Sequence, residues 1–176
     1  HGLLSVRRVP IKDERGFLTR LYCHQLFDET GIDFQISQIN HTGTALAGSI
    51  RGMHFQYQPF AEKKLVSCIK GKVFDVAVDL RTESETFLQW FGLELSAEEQ
   101  NALLIPEGFA HGFQTLQDNC EMIYLHSNYY EPSGEGGISF DDPAISINWP
   151  LEATQISKRD KNYDPIDDDF GGIDLQ

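Results

Sequence analysis

The chain has 176 residues and carries 14 Lys and Arg against 27 Asp and Glu, a net charge of −13. That length suits one domain around one core, and the acidity excludes a surface built to wrap nucleic acid, which needs a basic face. No apolar run is long enough to span a bilayer or has the layout of a signal peptide, and three widely spaced cysteines without a CxxC pair fit reduced thiols in the cytoplasm. The opening His1-Gly2 reads as an expression remnant and is set aside.

In chain order, residues 4–9 predict a first strand. Residues 12–16 predict a turn and the alternating residues 17–22 a return strand, together a hairpin. A short helix is expected over 25–30, ended by Gly31. Residues 34–41 alternate again, with Phe34, Ile36, Gln38 and Asn40 on one side. Two amides finishing one face are unusual for a core and make Gln38 and Asn40 candidates for a polar cavity. The stretch Arg51-Gly52-Met53-His54 follows a small-residue segment, 43–49. A straight strand would point Arg51 and His54 to opposite faces, whereas a bulge at Gly52 would bring both to one cavity. Taken alone, the stretch fits a surface arginine and a half-buried structural histidine equally well. Residues 64–69 and 72–81 read as strands joined by a tight turn at Gly71. In the second, Phe74, Val76, Val78 and Leu80 make one face, and Asp75 and Asp79 punctuate the other.

Further strands are expected over 86–95, 102–105, 113–116, 121–128 and 145–149, with a capped turn at 96–99 and a Pro- and Gly-punctuated turn at 106–113. Residues 133–137 form a glycine-rich loop that lacks either phosphate-cradling pattern and precedes no helix. The end, 157–176, is polar and reads as an extension packed back on the body, with 170–176 a mobile acidic tail. Short, evenly spaced strands without a repeat or linker predict a single all-β domain, sandwich, jelly roll or barrel, over 1–176.

A metal site of the cupin type wants two histidines one residue apart, an acid and a distant histidine. Here the position two after His54 is Gln56, and no HxH or HxxxH occurs, so no metal is expected. Acid–base chemistry suits the set better. His54 could serve as general base with an aspartate to orient it, Lys64 or Arg51 could face a developing oxyanion, and Tyr124 or Tyr130 could be the acid. Each has a plainer alternative. Tyr124 suits a core with its hydroxyl satisfied, His111 a turn, and Asp160 a solvated tail; His24 and His126 read as structural or surface.

Arg51-Gly52-Met53-His54-Phe55-Gln56, Lys64-Leu65-Val66, KVFDVAVDLR at 72–81, IPEGFAHGF at 105–113, NYYEP at 128–132, DDPAISINWP at 141–150 and Ser157-Lys158-Arg159-Asp160 occur in that order. Together they make the chain resemble the dTDP-4-dehydrorhamnose 3,5-epimerases of the cupin superfamily, over about residues 6–160. The resemblance implies a double-stranded β-helix (jelly roll), no cofactor, and a homodimer with exchanged N-terminal strands. It implies epimerisation at C3 and C5 of a nucleotide-linked 4-keto-6-deoxyhexose. By the same resemblance His54 is the base, Asp160 its orienting carboxylate, Tyr124 the acid on the opposite face and Lys64 the cation near the C4 enolate oxygen. Arg51 and His111 line the sugar and phosphates, and Arg15, Phe17, Gln38, Asn40 and Tyr130 contact the substrate. The family usually carries glutamate where Arg20 stands and glycine where Lys63 stands, which makes the substrate a more open question than the chemistry. The competing expectations are a relative acting on another nucleotide-linked 4-keto sugar or at one carbon, and a non-catalytic sugar-nucleotide-binding cupin.

Overall fold

The computed structural model describes residues 2–175. Its strands are β1 (Leu4–Arg7), β2 (Ile11–Asp13), β3 (Gly16–Leu18), β4 (Gln38–Thr44), β5 (Ile50–Gln56), β6 (Lys64–Lys70), β7 (Lys72–Asp79), β8 (Trp90–Ser96), β9 (Asn101–Ile105), β10 (Phe109–Thr115), β11 (Cys120–His126) and β12 (Glu135–Gly137), with one short helix, α1 (His24–Glu29). They form two five-stranded antiparallel sheets, β1-β9-β6-β11-β4 and β12-β5-β10-β7-β8, while β2 and β3 pair only with each other. The inner faces meet in an apolar cluster that takes Val66, Leu103 and Met122 from the first sheet and Val73, Ala77 and Phe113 from the second. This is the expected jelly roll, with one end filled by core and the other left open.

The outer faces are covered as well. Phe34 packs with Tyr22 and Phe27 of α1 over Leu65, Leu104 and Leu125 of the first sheet. Residues after β12 bring Ile138, Ile145, Trp149 and Ile173 over Met53, Val76, Val78 and Ala110 of the second. Hence β7, expected to have one core face, is buried on both: Val76 and Val78 point outward into that cover, and Asp75 points inward.

Several expected elements differ. The early hairpin is β2–β3 about Glu14-Arg15, closed by the Arg15 N–H on Asp13 Oδ1, and residues 4–9 supply only β1, at the edge of the first sheet. Residues 34–37 are not strand, because Phe34 turns fully into the cover of the first sheet. The turn before β10 is confined to Pro106-Glu107-Gly108, and Phe109 already pairs with Asp79. Residues 86–89 form a turn fastened to Asp79, whose Oδ2 accepts from the hydroxyls of Ser84 and Thr86. The expected strand 145–149 is also a turn: the N–H groups of Ile145 and Ser146 both reach Asp142 O, and Trp149 Nε1 donates to Phe140 O. Its apolar alternation serves packing without a ladder. The glycine-rich loop 133–137 becomes a 3-10 turn followed by β12, paired with β5. At the acidic end Ile173 is buried and exchanges backbone hydrogen bonds with Leu80 and Thr82, so the expected mobile tail is docked as far as Leu175.

Candidate active site

Five strands aim polar side chains at the open end of the roll. Gln38, Asn40, Thr42 and Thr44 of β4, Tyr124 and His126 of β11, and Lys64 of β6 come from the first sheet; Arg51, His54 and Gln56 of β5 and His111 of β10 come from the second. They line a cavity of about 1080 Å³, within the range of small-molecule sites or slightly above it.

The placement of Arg51 and His54 depends on Gly52. The register of β5 against β10 shifts between the pairs His54–His111 and Arg51–Phe113. Met53 and Phe55 therefore face the outer cover, while Arg51 and His54 both face the cavity, as a bulge at this glycine predicts. Gly52 has a φ of 137°, open to glycine alone, and a Cβ there would stand 2.5 Å from the Cα of Gly112. Gly112 is equally crowded: its Cβ would meet Met53 Sδ at 2.5 Å and Arg51 O at 2.8 Å.

His54 Nε2 lies 2.9 Å from Asp160 Oδ1, and Asp160 Oδ2 accepts the Gly52 N–H at 3.3 Å. Asp160 begins a 3-10 turn and is 2% exposed. Burial alone would raise its carboxyl; the hydrogen bond and charge of His54 and the Gly52 N–H outweigh it and hold the group at about 2. A carboxylate that stays ionised at Nε2 favours the Nε2–H tautomer, leaving Nδ1 to carry the basic lone pair. Arg159 reaches over the same edge of the ring: its guanidinium only donates, so with the Nε2 proton directed at Asp160 the 3.0 Å approach of Nη2 to His54 Nε2 is a close contact and not a hydrogen bond, while Nη1 donates to both carboxylate oxygens of Glu135 at 2.9 Å.

Tyr124 stands on the facing sheet. Burial pushes its phenol well above the usual range, so it is protonated at neutral pH, and among the described residues its oxygen has one distant partner, Thr42 Oγ1 at 3.5 Å. His111 packs edge-on to Tyr124 and bonds to buried Asp75 at 2.9 Å. Lys64 Nζ donates to His54 O at 3.2 Å and pairs with Glu62 at 3.3 Å. Arg51 is steadied by Thr44 Oγ1 and Gly43 O. Tyr130 lines the rim, its hydroxyl on Glu135. Among the described residues no group of three or more His, Cys, Asp or Glu side chains is gathered as a metal would need.

Nine of the eleven expected site residues thus meet at one cavity. Arg15 and Phe17 do not: both lie on the exposed β2–β3 hairpin, and Arg15 pairs with Asp13. Lys63, one residue out of step with Lys64, turns away to Asp33 O. Sequence reasoning missed Arg159, Glu135, Glu62 and His126. Two of these carried a signal: His126 shares the alternation of Tyr124, and Arg159 adjoins Asp160.

Two facing antiparallel sheets around a polar cavity, with an imidazole–carboxylate pair opposite a phenol, define a cupin jelly roll equipped for acid–base chemistry. The family description that matches residues 1–168 is dTDP-4-dehydrorhamnose 3,5-epimerase. A Salmonella typhimurium protein of that name is 49% identical over 150 residues, which cover 84% of this chain and 81% of the relative. The crystal structure of the Bacillus anthracis enzyme of the same name, with TDP and PPi bound, superposes with a TM-score of 0.91 at 36% identity, covering 93% of this chain and 94% of that one. A 3'-monoepimerase from Streptomyces bikiniensis in complex with dTDP-quinovose superposes at 0.88 with 31% identity, covering 93% and 83%. The chain belongs to the dTDP-4-dehydrorhamnose 3,5-epimerase family, whose members are isomerases.

Proposed function

We propose that the protein converts dTDP-4-dehydro-6-deoxy-D-glucose to dTDP-4-dehydro-L-rhamnose by inverting C3 and then or before it C5, with His54 as base and Tyr124 as acid. The observation that carries this reading is the placement of the two groups on opposite sheets: His54 on β5 and Tyr124 on β11 flank whatever occupies the cavity. Inversion at carbon requires a proton to leave from one face and return to the other, and two groups on facing walls are suited to that. Either proton is acidified by the neighbouring C4 ketone, so the substrate supplies its own electron sink and the reaction needs no cofactor. His54 Nδ1 takes the C–H proton, and the electron pair moves to the C4 oxygen as an enolate beside the Lys64 ammonium. The enolate carbon then takes the Tyr124 proton as the ketone re-forms. Asp160 orients His54 and stabilises its imidazolium. Arg51 offers a guanidinium to the diphosphate, and Gln38, Asn40, His111 and Tyr130 contact the sugar nucleotide.

The working form in this reading is a homodimer, in the cytoplasm, in which the β2–β3 hairpin of one copy reaches the other's cavity and brings Arg15 and Phe17 to the substrate. The exposed Val9, Ile11, Phe17 and Leu18 support it, since such a patch gains by being covered. Free thiols at Cys23, Cys68 and Cys120 suit a reducing compartment. The test is proton NMR of the keto sugar nucleotide in D₂O. Deuterium entering at C3 and C5, with reductive trapping of an L-sugar, is the expected result, and absence of exchange overturns it. The likeness to a 3'-monoepimerase favours a second reading, inversion at one carbon, which the same spectrum separates by exchange at C3 alone.

A further inference from the structure

The cavity wall holds a second charged cluster to which the acid–base reaction gives no task. Glu62, in the loop before β6, and His126, on β11, have side chains 8% and 10% exposed. One oxygen of Glu62 lies 2.8 Å from His126 Nδ1 and the other 3.3 Å from Lys64 Nζ. Burial favours the neutral carboxyl, but the His126 hydrogen bond and the charge of Lys64 prevail and keep Glu62 ionised at neutral pH. An ionised carboxylate only accepts, so His126 Nδ1 donates. On its other side His126 Nε2 is 3.3 Å from Asn40 Nδ2, which can only donate, so Nε2 accepts. Asn40 Oδ1 in turn accepts from Gln38 Nε2 at 3.1 Å, and Gln38 Oε1 accepts the Tyr130 N–H at 3.1 Å.

Every link points the same way, from Tyr130 to Glu62, and each amide or imidazole has one donor end and one acceptor end in the chain. Reversing one link turns the next into a donor facing a donor. The carboxylate is where this chain stops and where Lys64 is held.

We infer that Glu62 and His126 are positioning residues: one carboxylate sets both the Lys64 ammonium and the orientation of the Gln38 and Asn40 amides. This rests on the roles given to Lys64, Gln38 and Asn40 under the proposed function. It ties the group that faces the enolate oxygen to groups that grip the sugar nucleotide, across three strands and a loop.

Glu62→Gln keeps length and volume and replaces one accepting oxygen by a donor; the Lys64 ammonium can only donate, so the remaining oxygen turns to Lys64 and the new NH₂ group faces His126 Nδ1, which must then accept. His126→Phe keeps the ring and cuts the chain. In long-range ¹⁵N NMR of the resting protein, His126 is expected as the Nδ1–H tautomer in wild type and as Nε2–H in Glu62→Gln. Glu62→Gln lowers kcat for deuterium incorporation about tenfold, and His126→Phe raises KM about tenfold with kcat changed less than about threefold, the scale of one lost hydrogen bond. The double variant is no worse in kcat/KM than the worse single, because linked groups are not additive. Losses that multiply, or a His126 tautomer indifferent to Glu62→Gln, overturn the inference. Binding of thymidine diphosphate by the same variants separates the two claims. If wild type incorporates no deuterium but the tautomer switches and the binding losses are coupled, the epimerase reading falls and the Glu62–His126 linkage stands.

Discussion

Between the sheets, His54, Asp160, Lys64 and Arg51 each have hydrogen-bond partners supplied by their own chain. On the β2–β3 hairpin, Ile11, Phe17 and Leu18 are 62–71% exposed, and Arg15 bonds, among the described residues, to Asp13 of its own turn. The cavity is organised before anything enters it, which is what electrostatic preorganisation requires. Among the described residues every position of β2 and β3 is exposed, and covering the three large side chains would contribute roughly 1.5–3 kcal/mol each. The comparison teaches that the polar groups of the cavity are fixed by their own chain, while the hairpin presents an apolar surface that the proposed homodimer would cover.

The sharpest way to break this division is at the base. His54→Ala is expected to lower deuterium incorporation at both carbons by up to about 10⁴-fold, the upper range for general base catalysis. Asp160→Asn, which removes the charge that fixes the tautomer, should cost about 10²-fold in kcat in the same assay. Tyr124→Phe should separate the half-reactions: completed inversion, read by trapped L-sugar, falls about 10²-fold, and proton removal falls less.

On the hairpin the pattern should reverse. Arg15→Ala or Phe17→Ser should raise KM about tenfold and leave kcat within about threefold, the mark of binding lost without chemistry. Leu18→Asp should shift sedimentation toward the monomer. A hairpin variant that lowered kcat as steeply as His54→Ala would refute the division.

The smallest effect is one of stability. With its folded value held near 2, below the ordinary 3.8, Asp160 favours the fold while ionised. That contribution, about 2 kcal/mol, is complete above about pH 4 and is lost as pH falls toward 2. Urea midpoints of wild type and Asp160→Asn should therefore differ at pH 7 and converge near pH 2.

How much of this was legible in the sequence follows from what each feature depends on. Strands β4, β6, β7 and β11 announce themselves because alternation is local, and Gly52 marks its bulge because only glycine fits there. The stretch 145–149 misled because apolar residues packing against a sheet alternate as strand residues do. Asp160 has no local signal: it lies 106 positions from His54 and looks like a solvated tail residue until the chain folds back. The direction of the Tyr130-to-Glu62 chain was beyond sequence reasoning, since amide orientation is set by neighbours from other strands.

The seam where Gly52 and Gly112 touch bears on how this scaffold can be altered for other sugars. A methyl group at either position would push β5 off β10 and part His54 from His111, so variation there is closed. The rungs of β4 are different: Thr42 and Thr44 look into the same space, and while Thr44 Oγ1 steadies Arg51 at 3.0 Å, Thr42 Oγ1 is only loosely engaged, 3.5 Å from the Tyr124 oxygen. Libraries aimed at new substrates should keep the two glycines, Gln38, Asn40 and Thr44 fixed and vary Thr42.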